Sequence, residues 1–393
     1  MFDIIPLKNG LENVEGFYFD GINSGFKKNG NDLGFIRSDK PFLVSAIFTS
    51  NKFKAAPIRH FMRYERGFKS NFILLNSKNA NSMTGKKGID DIDEIFAKLG
   101  QKINLINPIM SSTGVIGYRL KKDKILKATE NFDFTARNSN GAATSIMTTD
   151  TIKKELAFRV DLDNGEHFNI AAICKGAGMI NPALATMLCY ILTDAEISQS
   201  DADELLKKAV NQSFNCVSVD GDTSTNDTVM ILSSCTRAYD KNAFETALNL
   251  ITKELSLLLV KDGEGSHKLV AFEVSGAANI NEAEKAAKTL ANSPLVKTAI
   301  FGEDPNWGRI ASTIGASGVI CDEEKLVIKY DDVIVYDINH PELDDEREEK
   351  AHKIMQKDEF KISCDLGIGN ACFTAYGCDL SYDYVKINAD YRS

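Results

Sequence analysis

The chain has 393 residues, of which 43% are hydrophobic and 26% charged, the balance of a globular protein and not of a disordered or fibrous one. Its 46 Lys and Arg against 55 Asp and Glu give a net charge of −9. No basic block is long enough to reverse that locally, which argues against nucleic acid as a partner. The length suggests about two or three domains or subdomains.

The opening MFDIIPLKNGLENVEGFYFDG (1–21) lacks the basic and apolar regions of a signal peptide, and no run of about 18 apolar residues is present to span a bilayer. A cytoplasmic location with no membrane partner is the resulting expectation. Short β-like runs at Phe42–Phe48 and Asn71–Leu75 lie among Gly, Asn and Ser turns, and DDIDEIFAKLG (90–100) has helical spacing with a closing glycine. Asn181-Pro182 reads as a helix start, Asn as cap and Pro at the first turn, with an apolar run from Ala183 to Leu192 broken only by Thr186. Ser200–Gln212 and Lys241–Val260 read as helices, the second ended by Asp262-Gly263. Asn281–Asn292 is expected as a helix and Val296–Phe301 as a strand. KLVIKYDDVIVYD (325–337) alternates about Asp331-Asp332 as a hairpin does. PELDDEREEK (341–350) reads as a solvated helical face, and the tail from Phe360 to Tyr391 as two or three strands.

Strands and helices are thus interleaved, and no repeat or low-complexity linker marks a boundary. The expected class is α/β (α+β), mixed sheets with packed helices in two subdomains. The eight cysteines contain no CxxC pair and the five histidines no ligand spacing, so no metal is expected.

CKGAGMINPALATML (174–188) carries the chemical question, because it places a hydroxyl in an apolar run. One reading is a buried threonine bonding back to a carbonyl one turn earlier. The other makes Thr186 a nucleophile freed by breaking the bond to Ala185. Ala185 is small and leaves its carbonyl open to attack. Lys175-Gly176-Ala177-Gly178 brings backbone N–H groups and a cation suited to a developing oxyanion. Cleavage would also give Thr186 an α-amine with an ordinary pKa of about 7.7–8.0, so one residue would hold nucleophile and base.

KGAGMINPALATML resembles the self-cleavage region of the ornithine acetyltransferase family, also called glutamate N-acetyltransferase, of arginine biosynthesis. The resemblance extends in order through GFKKNGNDLGFIRSD (25–39), FTSNKFKAAPIRH (48–60), NSKNANSMTG (76–85), SSTGVIG (111–117) and MTTDT (147–151). It continues through DGDTSTNDTV (220–229), DGEG (262–265), GEDPNWGRI (302–310) and the terminal NADYRS (388–393).

This resemblance implies an N-terminal-nucleophile-like architecture cut at Ala185–Thr186 into an α chain, 1–185, and a β chain, 186–393. It implies acetylation of Thr186, with Thr113 hydroxyl and Gly114 N–H as the oxyanion pair. Lys175, Thr148 of MTTDT, Thr186, Glu264, Asn388 and Ser393 match substrate-binding positions. The implied substrates are N-acetylornithine and glutamate, the implied assembly a heterotetramer of two α and two β chains. No cofactor is needed; some family members also accept acetyl-CoA as donor, and the sequence leaves that open. DGDTSTNDTV and GEDPNWGR are expected to be scaffold, with Trp307 in packing. The competing readings are a self-processing N-terminal-nucleophile aminopeptidase or amidohydrolase that deacylates to water, and a non-catalytic protein that stays one chain of about 43 kDa.

Overall fold

The computed structural model describes residues 1–181 and 187–390 and divides the chain into two units. The first comprises Met1–Gly176, Ala183–Phe214 and Thr223–Leu255; the second comprises Ala177–Pro182, Asn215–Asp222 and Ser256–Ser393. Ala185, Thr186 and Ser393 lie outside the described residues. No described helix is long and apolar enough to cross a membrane.

The first unit is built on a mixed sheet. Its strands are β1 (Phe2–Pro6), β2 (Tyr18–Ile22), β3 (Leu33–Phe48), β4 (Lys69–Asn76), β5 (Ile109–Ser112), β6 (Lys154–Leu162), β7 (His167–Lys175), β8 (Leu188–Ala195) and β9 (Thr228–Arg237). Their order is β1-β6-β7-β8-β9-β3-β4-β5, with β2 added on β3. Both faces are covered. On β4, Phe72 and Leu74 join Leu33, Phe35, Ile92 and Ile95 on one face. Ile73 and Leu75 join Tyr190, Leu192, Met230 and Leu232 on the other. Successive strand residues point to opposite faces, so a run apolar at every position serves a strand buried on both sides. Each fully buried large side chain contributes about 1.5–3 kcal/mol.

Helices α1 (Ala56–Phe61), α2 (Gly85–Leu99), α3 (Lys122–Ala128), α4 (Ser139–Ile146) and α5 (Gln199–Gln212) belong to this unit, and α6 (Lys241–Lys261) runs from the first unit into the second. The second unit carries a five-stranded sheet of β10 (Leu269–Ala277), β11 (Val327–Tyr330), β12 (Val333–Tyr336), β13 (Glu359–Asp365) and β14 (Ala371–Cys378), ordered β12-β11-β13-β10-β14. Around it lie α7 (Ile280–Asn292), α8 (Pro294–Phe301), α9 (Trp307–Ala316), α10 (Asp345–Met355) and α11 (Tyr382–Ala389). Ala283, Ala286, Ala287 and Leu290 recur at the spacing of one helical face and are buried with Phe272, Val274 and Ile362.

The mixed α/β class and the 325–337 hairpin hold as expected, and the expected 341–350 helical face is helix from Asp345 onward. Asp331 turns the hairpin at φ +45°, and Glu346–Lys350 and Glu349–Lys353 pair along α10 at 2.6 Å each. Trp307 stacks on Tyr336 with ring centroids 4.5 Å apart, a packing role. Two expectations fail. The apolar run expected as helix is strand from Leu188, fully buried between β7 and β9. Val296–Phe301 is helix, because Ser293 caps it by accepting the Val296 N–H at 3.4 Å and Pro294 opens its first turn. The tail carries two strands, β13 and β14, within the two or three expected, and ends in the helix α11.

Candidate active site

In the first unit, β5 delivers Ser111 and Ser112 and the chain then turns at Thr113-Gly114. Thr113 donates its N–H to the Asn76 carbonyl at 3.0 Å, which continues the pairing of β5 with β4. Gly114 has φ +127°, and a Cβ there would lie 2.3 Å from the Lys78 carbonyl carbon and 2.6 Å from the Asn79 nitrogen. Only glycine fits at so close an approach. Lys175 ends β7 and is 2% exposed; its Nζ donates to Thr113 Oγ1 at 3.4 Å. The expected oxyanion hydroxyl of Thr113 and the expected substrate-binding cation Lys175 are therefore neighbours.

MTTDT joins the same cluster through Asp150. Its Oδ2 accepts the Thr148 N–H at 2.9 Å, and its Oδ1 accepts the Gly176 N–H at 2.7 Å and the Lys154 ammonium at 2.8 Å. The Asp150 and Lys154 side chains are both fully buried. Burial alone would raise the Asp150 carboxyl, but the Lys175 and Lys154 charges and the hydrogen bonds from Lys154 and Gly176 hold it down at about 2. This corrects one expectation: the Gly176 N–H is committed to Asp150, so it is not open to an oxyanion.

Asp227 is the second buried acid of this unit. Its Oδ1 accepts the N–H of Met187, the residue after Thr186, at 3.1 Å, and its Oδ2 has no hydrogen-bond partner among the described residues. Burial pushes this carboxyl well above the usual range, against the pull of the Met187 N–H, Thr49 and Lys175. Its neighbour Asn226 donates to the carbonyls of Ala80 at 2.7 Å and Ser112 at 2.9 Å, fixing the chain that enters the Thr113 turn.

In the second unit, Glu264 is 8% exposed and donates its N–H to the Ala177 carbonyl at 2.8 Å. Gly178 lies against its carboxylate, where a Cβ would come within 2.4 Å. Asn388 on α11 donates Nδ2 to Glu264 Oε2 at 2.7 Å. Asp220 accepts the N–H groups of Met179 at 2.6 Å and Ile180 at 2.9 Å, and the Tyr384 hydroxyl at 3.3 Å. Asn181, expected as a helix cap, instead donates Nδ2 to the Gly221 carbonyl at 2.7 Å and accepts from Asn292 at 3.3 Å.

The structure thus brings Thr113, Gly114, Thr148 and Lys175 together in one unit, and Glu264 and Asn388 together in the other. Ala185, Thr186 and Ser393 fall outside the described residues. Sequence reasoning missed Asp150, Asp220 and Asp227. Each stood inside a quoted motif, but an aspartate in a turn-forming stretch gives no sign of whether it faces solvent or a buried amide.

A two-unit α/β protein with a buried lysine bonded to a threonine, next to a glycine that only backbone freedom allows, has the parts of an acyl-transfer enzyme. The chain belongs to the ArgJ family, whose model matches residues 18–393. It is 54% identical over 396 residues to the arginine biosynthesis bifunctional protein ArgJ of Wolinella succinogenes, covering 100% of both chains. It is 38% identical over 405 residues to the protein of that name from Oceanobacillus iheyensis, covering 100% of this chain and 98% of that one. The solved arginine biosynthesis bifunctional protein argJ of Bacillus halodurans is 40% identical, with a TM-score of 0.47 over 51% of this chain and 97% of that chain. The family drawn from the motifs is the family found.

Proposed function

We propose that this chain, an ArgJ-family enzyme, moves the acetyl group of N-acetylornithine to glutamate through an acetyl-Thr186 ester. It cuts itself between Ala185 and Thr186, and the new α-amine of Thr186 takes the proton of its own hydroxyl. The oxygen attacks the acetyl carbonyl while the Thr113 hydroxyl and the Gly114 N–H donate to the oxyanion. Ornithine leaves with the proton returned by the amine, and the glutamate amine then attacks the ester to give N-acetylglutamate and restore Thr186. Both amino acids carry an α-carboxylate, which Lys175 and Thr148 receive in turn. Only ornithine carries a second ammonium, and Glu264 with Asn388 suits it; Ser393 adds a terminal hydroxyl contact. The exchange needs no cofactor.

The observation that carries this reading is the Lys175 ammonium 3.4 Å from the Thr113 hydroxyl beside Gly114, in a chain whose full-length relatives are named bifunctional arginine-biosynthesis proteins. "Bifunctional" also supports acetyl-CoA as a second acetyl donor to glutamate. A cytoplasmic heterotetramer of two 1–185 and two 186–393 chains completes the proposal.

Denaturing electrophoresis tests the first step. The wild type should run as two fragments and Thr186→Ala as one chain of about 43 kDa without transferase activity; normal processing of the alanine variant would remove Thr186 from the mechanism. Incubation with N-acetylornithine and glutamate tests the second. N-acetylglutamate is the expected product, and free acetate alone would point to a self-processing hydrolase.

A further inference from the structure

We propose that Cys174 and Cys189 are a disulfide-forming pair, a modification site at which one S–S bond ties the stretch ahead of Ala185–Thr186 to the stretch behind it. The bond itself rests on the sheet; that it joins two fragments rests on the proposed self-cleavage. Cys174 is the last residue but one of β7, and Cys189 the second of β8. They stand directly opposite each other in an antiparallel ladder, between the pairs Ile173↔Tyr190 and Lys175↔Leu188, with no shift of register. Opposed residues of such a ladder share one face of the sheet, with Cα atoms about 4.5 or 5.5 Å apart. Both spacings fall within the span of about 4.4–6.8 Å that a disulfide bridges. Cys174 is 2% exposed and Cys189 fully buried. Burial first, then a hydrogen bond and charge from Cys174, push the Cys189 thiol up, so each sulfur has the other as a neighbour. Cys174 Sγ also makes a long contact, 3.9 Å, with the Lys175 carbonyl.

Sequence makes the pair identifiable. Of the cysteines at 174, 189, 216, 235, 321, 364, 372 and 378, Cys174 alone falls within 1–185. Any disulfide between the two fragments must therefore use Cys174, and the ladder gives it Cys189. Lys175 lies between them in sequence, so trypsin separates the two cysteines whether or not the chain cuts itself. The reaction is a two-electron oxidation by a small azo or peroxide oxidant, since buried thiols are closed to a bulky one. With diamide the two thiols give up two electrons and two protons, the S–S bond forms, and the azo N=N bond is reduced to the hydrazine. With hydrogen peroxide the O–O bond breaks and the same electrons and protons leave as two waters.

The test treats the folded full-length protein with diamide at about pH 8.5, where ordinary thiols are half ionised. A Cys321→Ser/Cys372→Ser background removes the two exposed thiols, and N-ethylmaleimide blocks free thiols before denaturation. If that background fails to fold, the wild type takes its place with the same readouts. After trypsin, mass spectrometry should find the peptide ending at Lys175 joined to the peptide that carries Cys189, and dithiothreitol should release it. Non-reducing electrophoresis should show one band of about 43 kDa where the reducing lane shows two fragments. A single chain in the reducing lane means that the self-cleavage reading has failed, and the joined peptides then still decide the pair. Cys189→Ala should abolish the joined peptides and leave Cys174 to react with N-ethylmaleimide. A folded, oxidised protein without the joined peptides would overturn the proposal. So would a link to Cys174 that survives in Cys189→Ala, because another cysteine would then be its partner.

Discussion

Gly114→Ala puts a methyl group where the backbone of a neighbouring loop already stands. The added Cβ would meet the Lys78 carbonyl carbon at 2.3 Å and the Asn79 nitrogen and Lys78 Cα at 2.6 Å, whereas ordinary contact begins at 3.4 Å. No rotamer relieves this, since every opposing atom is main chain. The opposing loop is also fixed. Ser77 donates to the Asp32 carbonyl at 3.0 Å, Ala80 to Val115 at 3.1 Å, and the Asn76 side chain to the Asn79 carbonyl at 2.9 Å. The loop must therefore retreat by about 1 Å against its own hydrogen bonds, a strain of about 1–3 kcal/mol for overpacking. An alanine held at φ +127° adds about 1–3 kcal/mol. Urea unfolding should accordingly show a loss of about 2–6 kcal/mol, and on the proposed mechanism acetylation of the enzyme should slow about 10²–10³-fold as the Gly114 N–H moves. Gly117→Ala is the control: its φ is +96° but nothing lies within 4 Å, so only the backbone cost remains. A Gly114→Ala enzyme within about 0.5 kcal/mol of wild type would refute the close approach on which the argument rests.

Asp227→Asn should alter the pH dependence of stability. The folded carboxyl ionises well above its unfolded value, so wild-type stability falls as pH rises from about 4 toward the folded ionisation, by about 1.4 kcal/mol per pH unit. Asparagine cannot ionise, so unfolding midpoints of the two proteins should diverge in favour of the variant as pH rises above about 4; parallel curves would contradict a carboxyl raised by burial. Asn388→Ala removes the 2.7 Å hydrogen bond to Glu264 and should raise KM for N-acetylornithine severalfold while kcat holds, read by steady-state kinetics. A fall in kcat at unchanged KM would take Asn388 out of substrate binding.

Much of the fold was legible where one pattern excluded the others. The 325–337 alternation about Asp331-Asp332 admits little but a hairpin, and the charge-dense 341–350 stretch little but a solvated helix. The Ala183–Leu192 run was misread because periodicity carries almost no information once nearly every position is apolar. Leu188, Tyr190 and Leu192 face one side of β8 while Cys189 and Ile191 face the other, and all are buried because β8 sits between two strands. Only the sheet around it, assembled from strands distant in sequence, makes it a strand. At 293–301 the opposite happened. The signal for a helix was present, a serine cap followed by proline, and the expectation of a strand over Val296–Phe301 passed over it.

The site was legible as motifs and illegible as geometry, and the aspartates show why. Asp150, Asp220 and Asp227 accept backbone N–H groups of Gly176, of Met179 and Ile180, and of Met187. These amides bracket residues 182–186 on both sides. A carboxylate that grips a main-chain amide reads no side chain, so nothing in the gripped sequence announces its partner, and the acids come from stretches 26 to 41 residues away.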